Sequence, residues 1–85
     1  MIAFPILESW NTHSKVATIV ATADKKRILC RISMEVLRER FDASEDEPMQ
    51  SLIEYRADIQ EAARKLIESD TYEKDGSILI RSCDI

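Results

Sequence analysis

One histidine, two cysteines, an acidic run and a basic cluster are the parts of this 85-residue chain that could do chemistry. His13 has no Cys or His at ligand spacing around it, so it does not read as part of a metal centre. Cys30 and His13 could in principle be nucleophile and base. Cys30, however, alternates with Ile28 and Ile32, and a thiol on an apolar face loses the thiolate that makes cysteine reactive. Packing is the stronger reading. Cys83 also falls in a strand-like stretch, and both thiols read as reduced and buried in a cytoplasmic protein. Asp42, Glu45, Asp46 and Glu47 lack the spacing and turn glycine of a calcium loop. They read as a solvated loop whose last acids favour the positive end of a following helix. With one glycine in the chain, no glycine-rich phosphate loop is available. No nucleophile, base and oxyanion set can be assembled, so no catalytic residue, metal or cofactor is assigned. The expectation is a non-enzymatic protein.

Two residue sets suit binding instead. Lys25, Lys26, Arg27 and Arg31 would form a basic hairpin tip and edge, and a β-ribbon can enter a major groove. Against nucleic acid stand the net charge of -4 and the lack of aromatic residues among these cations. Edge lysines also simply discourage aggregation. Arg56 falls inside the apolar stripe of a helix, about 40° from its centre on an ideal wheel. It is either a snorkelling or carboxylate-paired structural residue, or a guanidinium holding a ligand or partner between helix and sheet. The cost of an unpaired buried charge gives the structural reading more weight. Trp10 and Phe4 divide in the same way between core lid and interface anchor.

These residues need elements to position them. Val16 to Thr22 and Lys26 to Ile32 are rich in β-branched and apolar types, with Asp24-Lys25 as a two-residue hairpin connection. That register sets Ala17, Ile19 and Ala21 opposite Ile32, Cys30 and Ile28 on one buried face. Ser33 is a good N-cap for a helix over about Met34 to Phe41. Pro48 suits the first position of a second, long helix reaching about Ser69. On it Met49, Leu52, Ile59, Ala63, Leu66 and Ile67 form one stripe, and Glu61 and Lys65 form an i,i+4 pair. Thr71 to Lys74 and Ser77 to Cys83 flank Asp75-Gly76, a type I′ signal for a second hairpin. Met1 to Trp10 reads as an extended segment, confined to a sheet edge by Pro5. The expected fold class is α+β: an antiparallel sheet of two hairpins, in ββααββ order, with two helices on one face. The other face would show Val16, Val20, Leu29, Tyr72 and Leu79. Phe4 and Trp10 either fold across it or leave an apolar patch that needs a partner.

The composition suits one domain spanning residues 1–85 with a single small core. The longest apolar run, near Val16 to Ala23, is far shorter than the roughly 20 residues of a membrane helix. Pro5 and Glu8 interrupt the N-terminal stretch, so no signal peptide is read there. Residues 1–41 carry seven Lys/Arg and four Asp/Glu, a balance of +3, whereas residues 42–85 carry five and twelve, a balance of -7. Such halves can neutralise each other internally, which is the simpler expectation, or favour head-to-tail or heterotypic contacts.

Phe4-Pro5 followed by Trp10, Ile28-x-Cys30-x-Ile32-Ser33 leading to Leu37 and Phe41, and the closing Asp75-Gly76-Ser77-Ile78 together resemble the bacterial domain of unknown function 1488. The resemblance covers nearly the whole chain. It implies a small, stand-alone α+β protein of the bacterial cytoplasm with no established activity, so no catalytic residue is carried across. The family's first turn is often Asn-Gly-like; Asp24-Lys25 departs from that. The functional expectation is a protein-interaction or regulatory module with a protein partner, a homodimer included, and no membrane. The alternative is a nucleic-acid-associated regulator using the basic hairpin Lys25–Arg31.

Overall fold

The computed structural model describes residues 2–5 and 7–85. Its centre is the hairpin of β3 (Val16–Ala23) and β4 (Lys26–Ser33), paired in the expected register: Ala17↔Ile32, Ile19↔Cys30 and Ala21↔Ile28. Asp24 and Lys25 have φ of 51° and 68°, the two left-handed residues of a type I′ turn built without glycine. Strands β1 (Ile2–Ala3) and β2 (Glu8–Asn11) both pair antiparallel with β3. Pro5 lies between them, at the edge where its missing amide costs no ladder bond. The inner face, Ala17, Ile19, Ala21, Ile28, Cys30 and Ile32, is buried.

Helix α1 (Met34–Phe41) starts where expected, and the Ser33 hydroxyl accepts from the Val36 amide at 3.3 Å. Asp42 closes it in the left-handed region, φ 53°. Pro48 opens α2 (Pro48–Glu54), but the expected long helix stops there. Tyr55, at φ -106° and ψ 26°, separates it from α3 (Arg56–Glu68). The Tyr55 ring stacks on Phe41, with centroids 4.6 Å apart and planes 16° from parallel. The break lets α2 pack on α1 while α3 lies against the C-terminal strand. Three helices therefore replace the expected two among the described residues. Leu52, Ile59, Ala63 and Ile67 of the stripe are buried all the same. Glu61 pairs with Arg64, whose Nε donates at 3.0 Å, rather than with Lys65.

The second hairpin does not form. Asp70 takes φ 56°, its amide donates to the Ile67 carbonyl at 3.1 Å, and the Thr71 amide donates to the Leu66 carbonyl at 2.9 Å. That is a Schellman cap on α3, and it claims the backbone that a strand would need. A turn does follow. The Gly76 amide donates to Glu73 at 2.9 Å and the Glu73 amide to Ser77 at 2.8 Å. Only Gly76 (φ 84°) is left-handed there, so the loop has three residues and is not type I′. It feeds β5 (Ile78–Ile80), which pairs parallel to β4 through Cys30↔Ile78 and Ile32↔Ile80. A parallel neighbour needs a crossover of a dozen or more residues, and the three helices supply it. The sheet is thus mixed, ordered β1/β2, β3, β4, β5, and the chain order is ββββαααβ rather than ββααββ. Cys83 lies exposed in a 3-10 turn, Ser82–Asp84, not buried in a strand. Phe4 and Trp10 pack against the core on the helix side. They do not cross the outer face, where Leu29 is 47% exposed.

Candidate interaction surfaces

Arg56 is the first residue of α3, and Glu8 sits on β2 opposite Ile19, hence on the helix-covered face. The Arg56 Nε donates to Glu8 Oε2 at 3.0 Å and Nη2 to Oε1 at 2.6 Å. The Glu8 side chain is only 11% exposed. This two-pronged geometry is what a half-buried guanidinium requires. The bond to Glu8 holds the Arg56 pKa above its ordinary value. The pair ties edge strand β2 to the start of α3, and Glu8 fills the guanidinium edge that an incoming carboxylate would take.

The outer sheet face carries Val16, Thr18, Val20 and Thr22 from β3 and Arg27, Leu29 and Arg31 from β4, by alternation with the buried set. Leu7, Thr18, Val20, Arg27 and Leu29 border a shallow depression of about 310 Å³ on it. Arg31 is tied down: its Nη2 donates to Ser77 Oγ at 2.7 Å and lies 3.5 Å from Asp75 Oδ2. The Ser77 hydroxyl and amide donate to Asp75 Oδ1 at 2.6 and 3.0 Å. These bonds, more than Arg31, hold the Asp75 carboxyl below the usual carboxylate range. Arg31 Nε is buried without a hydrogen-bond partner among the described residues. Arg31 therefore braces β4 against the loop entering β5 and is not a free cation.

Lys25, Lys26 and Arg27 are exposed at the hairpin tip, and no ion pair among the described residues involves them. Tyr72, 41% exposed, lies beside Lys26 and Arg27 around a second depression. Of the basic cluster, the structure thus keeps three residues together and separates Arg31 from them.

Trp10 belongs to a surface that sequence reasoning missed. With Pro48, Met49, Gln50 and Ile53 it lines an open groove of about 840 Å³, edged by Asp46, Glu47 and Glu54. Ile53 is 54% exposed. Its sequence signal is an isoleucine lying off the apolar stripe of its helix. No cation lines the groove; Lys15 lines a smaller adjoining pocket with Trp10 and Asp46. The remaining chemical candidates are placed apart. Cys30 is fully buried, and desolvation pushes its thiol up to about 11. His13 lies in an exposed turn whose His13 and Ser14 amides both donate to Asn11 Oδ1. No group of three or more His, Cys, Asp or Glu among the described residues is placed to hold a metal ion.

Among the described residues, a five-stranded mixed sheet with three helices over one face defines a small α+β domain. The model of the family described as protein of unknown function (DUF1488) matches residues 2–80, and the chain belongs to that family. A DUF1488-family protein of unknown function from Shewanella loihica PV-4, known from a 1.60 Å crystal structure, superposes with a TM-score of 0.85. It is 25% identical, over 94% of this chain and 92% of that one. Comparison with curated proteins found no match. Among the described residues no helix is long and apolar enough to cross a membrane.

Proposed function

We propose that the chain is a non-enzymatic interaction module of the cytoplasm whose outer sheet face receives a partner protein. One observation carries this reading: the helices and the N-terminal aromatics all lie on the inner side, leaving Leu7 and Leu29 exposed and Val20 half-buried beside Arg27. The partner that fits is an aliphatic surface bearing carboxylates. Leucine and valine supply contact area, and Arg27 forms no ion pair among the described residues. Free cysteines, one of them exposed, suit a reducing compartment.

Nucleic acid is the competing class, favoured by tip cations that have no ion pair among the described residues. Bases bind sheets by stacking on aromatic side chains, and the β3–β4 outer face has none. The class is tested by a salt titration with DNA or RNA. Phosphate contacts require log affinity to fall linearly with log salt, and no binding at low salt removes the class. For the protein reading, a photo-crosslinking side chain is placed at position 29, 20 or 53 in host cells. Crosslinking of one protein from 29 and 20 but not 53, lost with Arg27→Glu, is the expected result. A partner caught equally from 53, or kept by Arg27→Glu, overturns the assignment of the face.

A further inference from the structure

Two charged surfaces of this molecule, the tip of the β3–β4 hairpin and the groove by Trp10, are complementary, and the fold prevents them from meeting. Trp10 pairs with Ala17, whereas Lys26 pairs with Ala23 at the far end of the same strand. The span from Ala17 to Ala23 is about 20 Å at roughly 3.3 Å per residue, within a molecule whose long axis is 35 Å. The acidic groove by Trp10 and the basic tip therefore lie towards opposite ends. Internal neutralisation of the charge asymmetry, the simpler expectation, does not happen there: among the described residues Lys25, Lys26 and Arg27 have no ion pair, and neither have Asp46, Glu47 and Glu54.

We propose that the groove formed by Trp10 and α2 docks the β3–β4 hairpin tip of a second copy of this chain, so that copies associate head to tail. Each surface offers what the other lacks. The groove has an apolar floor, Trp10, Met49 and Ile53, edged by Asp46, Glu47 and Glu54, with no cation lining it. The tip presents Lys25, Lys26 and Arg27 beside Tyr72, against the carboxylates of Asp24 and Asp70. Lysine stems cover apolar surface while their ammonium groups reach carboxylates. An indole face also attracts a cation. A tip-in-groove contact is heterologous, since the two surfaces differ. It is also small, in the class of weak and transient interfaces below about 1,200 Å². Of the outer sheet face only Arg27 is shared with the tip; the charge-reversed variants below leave Arg27, Val20 and Leu29 unchanged, so this contact and the partner site proposed above fail or succeed separately.

Sedimentation velocity on the full chain tests it. At about 20 mM salt the weight-average sedimentation coefficient rises with protein concentration towards about 1 mM, and at about 0.5 M salt the rise disappears, because screening shortens the reach of exposed charges. Trp10, the only tryptophan, reports the groove directly: its emission shifts with association. Two charge-reversed variants complete the test. Lys25→Glu/Lys26→Glu and Glu47→Lys/Glu54→Lys each stay monomeric alone, since each pairs like charges. Mixed in equal amounts they associate again, because every tip then finds an opposite groove. All four positions are exposed, and circular dichroism confirms that both variants fold. A strict monomer at about 1 mM in low salt overturns the proposal. So does association that persists in both variants, or a mixture no more associated than its parts. Association lost with Leu29→Glu but kept in the charge-reversed variants assigns self-contact to the sheet face and equally overturns it.

Discussion

At the scale of single residues, the two cysteines differ in reactivity because of where the backbone puts them. Cys30 faces Ile19 across the hairpin with no exposed surface, and burial pushes its pKa from 9.0 to about 11. A thiol reagent at neutral pH is therefore expected to titrate Cys83 alone in the native protein and both thiols in urea. Fast modification of two thiols in the folded protein contradicts the assignment. The raised pKa also has a sign. The unfolded thiol ionises near 9.0 while the folded one stays protonated, so Cys30 loses stability for the fold as pH rises from 9.0 to about 11. The loss is about 2–3 kcal/mol over that window. Cys30→Ala removes this part of the alkaline slope, which urea midpoints at successive pH values measure. Arg56 behaves differently. Glu8→Gln leaves its guanidinium half-buried beside a neutral amide, so Glu8→Gln and Arg56→Gln are each expected to lower Tm. Their double-mutant coupling should persist in high salt, where exposed pairs fade. Equal fading would mean that the pair is solvated. The sequence left Arg56 open between snorkelling, a carboxylate partner and a bound ligand, because Glu8 is far away along the chain and reaches it only through strand pairing.

At the scale of elements, legibility followed the reach of the signal. The β3–β4 hairpin was legible in full, because alternation and a two-residue connection fix its register locally. The Ser33 cap and Pro48 start are equally local. The break at Tyr55 carries no glycine or proline; it answers to the stacked Phe41 ring, a tertiary contact. The tail misled for a related reason. Asp75-Gly76 marks a turn in either arrangement, and only the Schellman cap at Asp70 and the parallel partner show that no hairpin closes there. The Asp24-Lys25 turn supplies the prediction at this scale. A left-handed L-residue costs roughly 1–2 kcal/mol, of which glycine's extra unfolded entropy takes back about 0.5–1 kcal/mol. Lys25→Gly is thus expected to stabilise the protein by up to about 1.5 kcal/mol. It should raise the urea midpoint at unchanged slope. A lowered midpoint would show that the Lys25 side chain contributes more than its backbone costs.

At the scale of the whole molecule, the sheet has one face inside and one outside, and adjacent residues of a single strand can tell them apart. Cys30 and Ile32 lie under the helices at 0% exposure, while Leu29 between Ile28 and Cys30 stands 47% exposed on the other side. Ile32→Ala opens a cavity in the fully buried core, for a loss of about 2–5 kcal/mol. Leu29→Ala gives up only contacts along an open surface, and its cost should stay within about 0.5 kcal/mol, as for most surface substitutions. Equilibrium unfolding of both variants at low protein concentration measures the contrast. The sequence located this face but could not say whether Phe4 and Trp10 covered it, since a short segment beyond Pro5 can approach either side of an edge strand. The structure puts both aromatics inside. If Leu29→Ala nevertheless costs as much as Ile32→Ala, the face is occupied even in dilute solution. A cost that grows with protein concentration identifies the occupant as another copy, because only association links stability to concentration. A small, concentration-independent cost leaves the face free for a different protein, the occupant proposed for it.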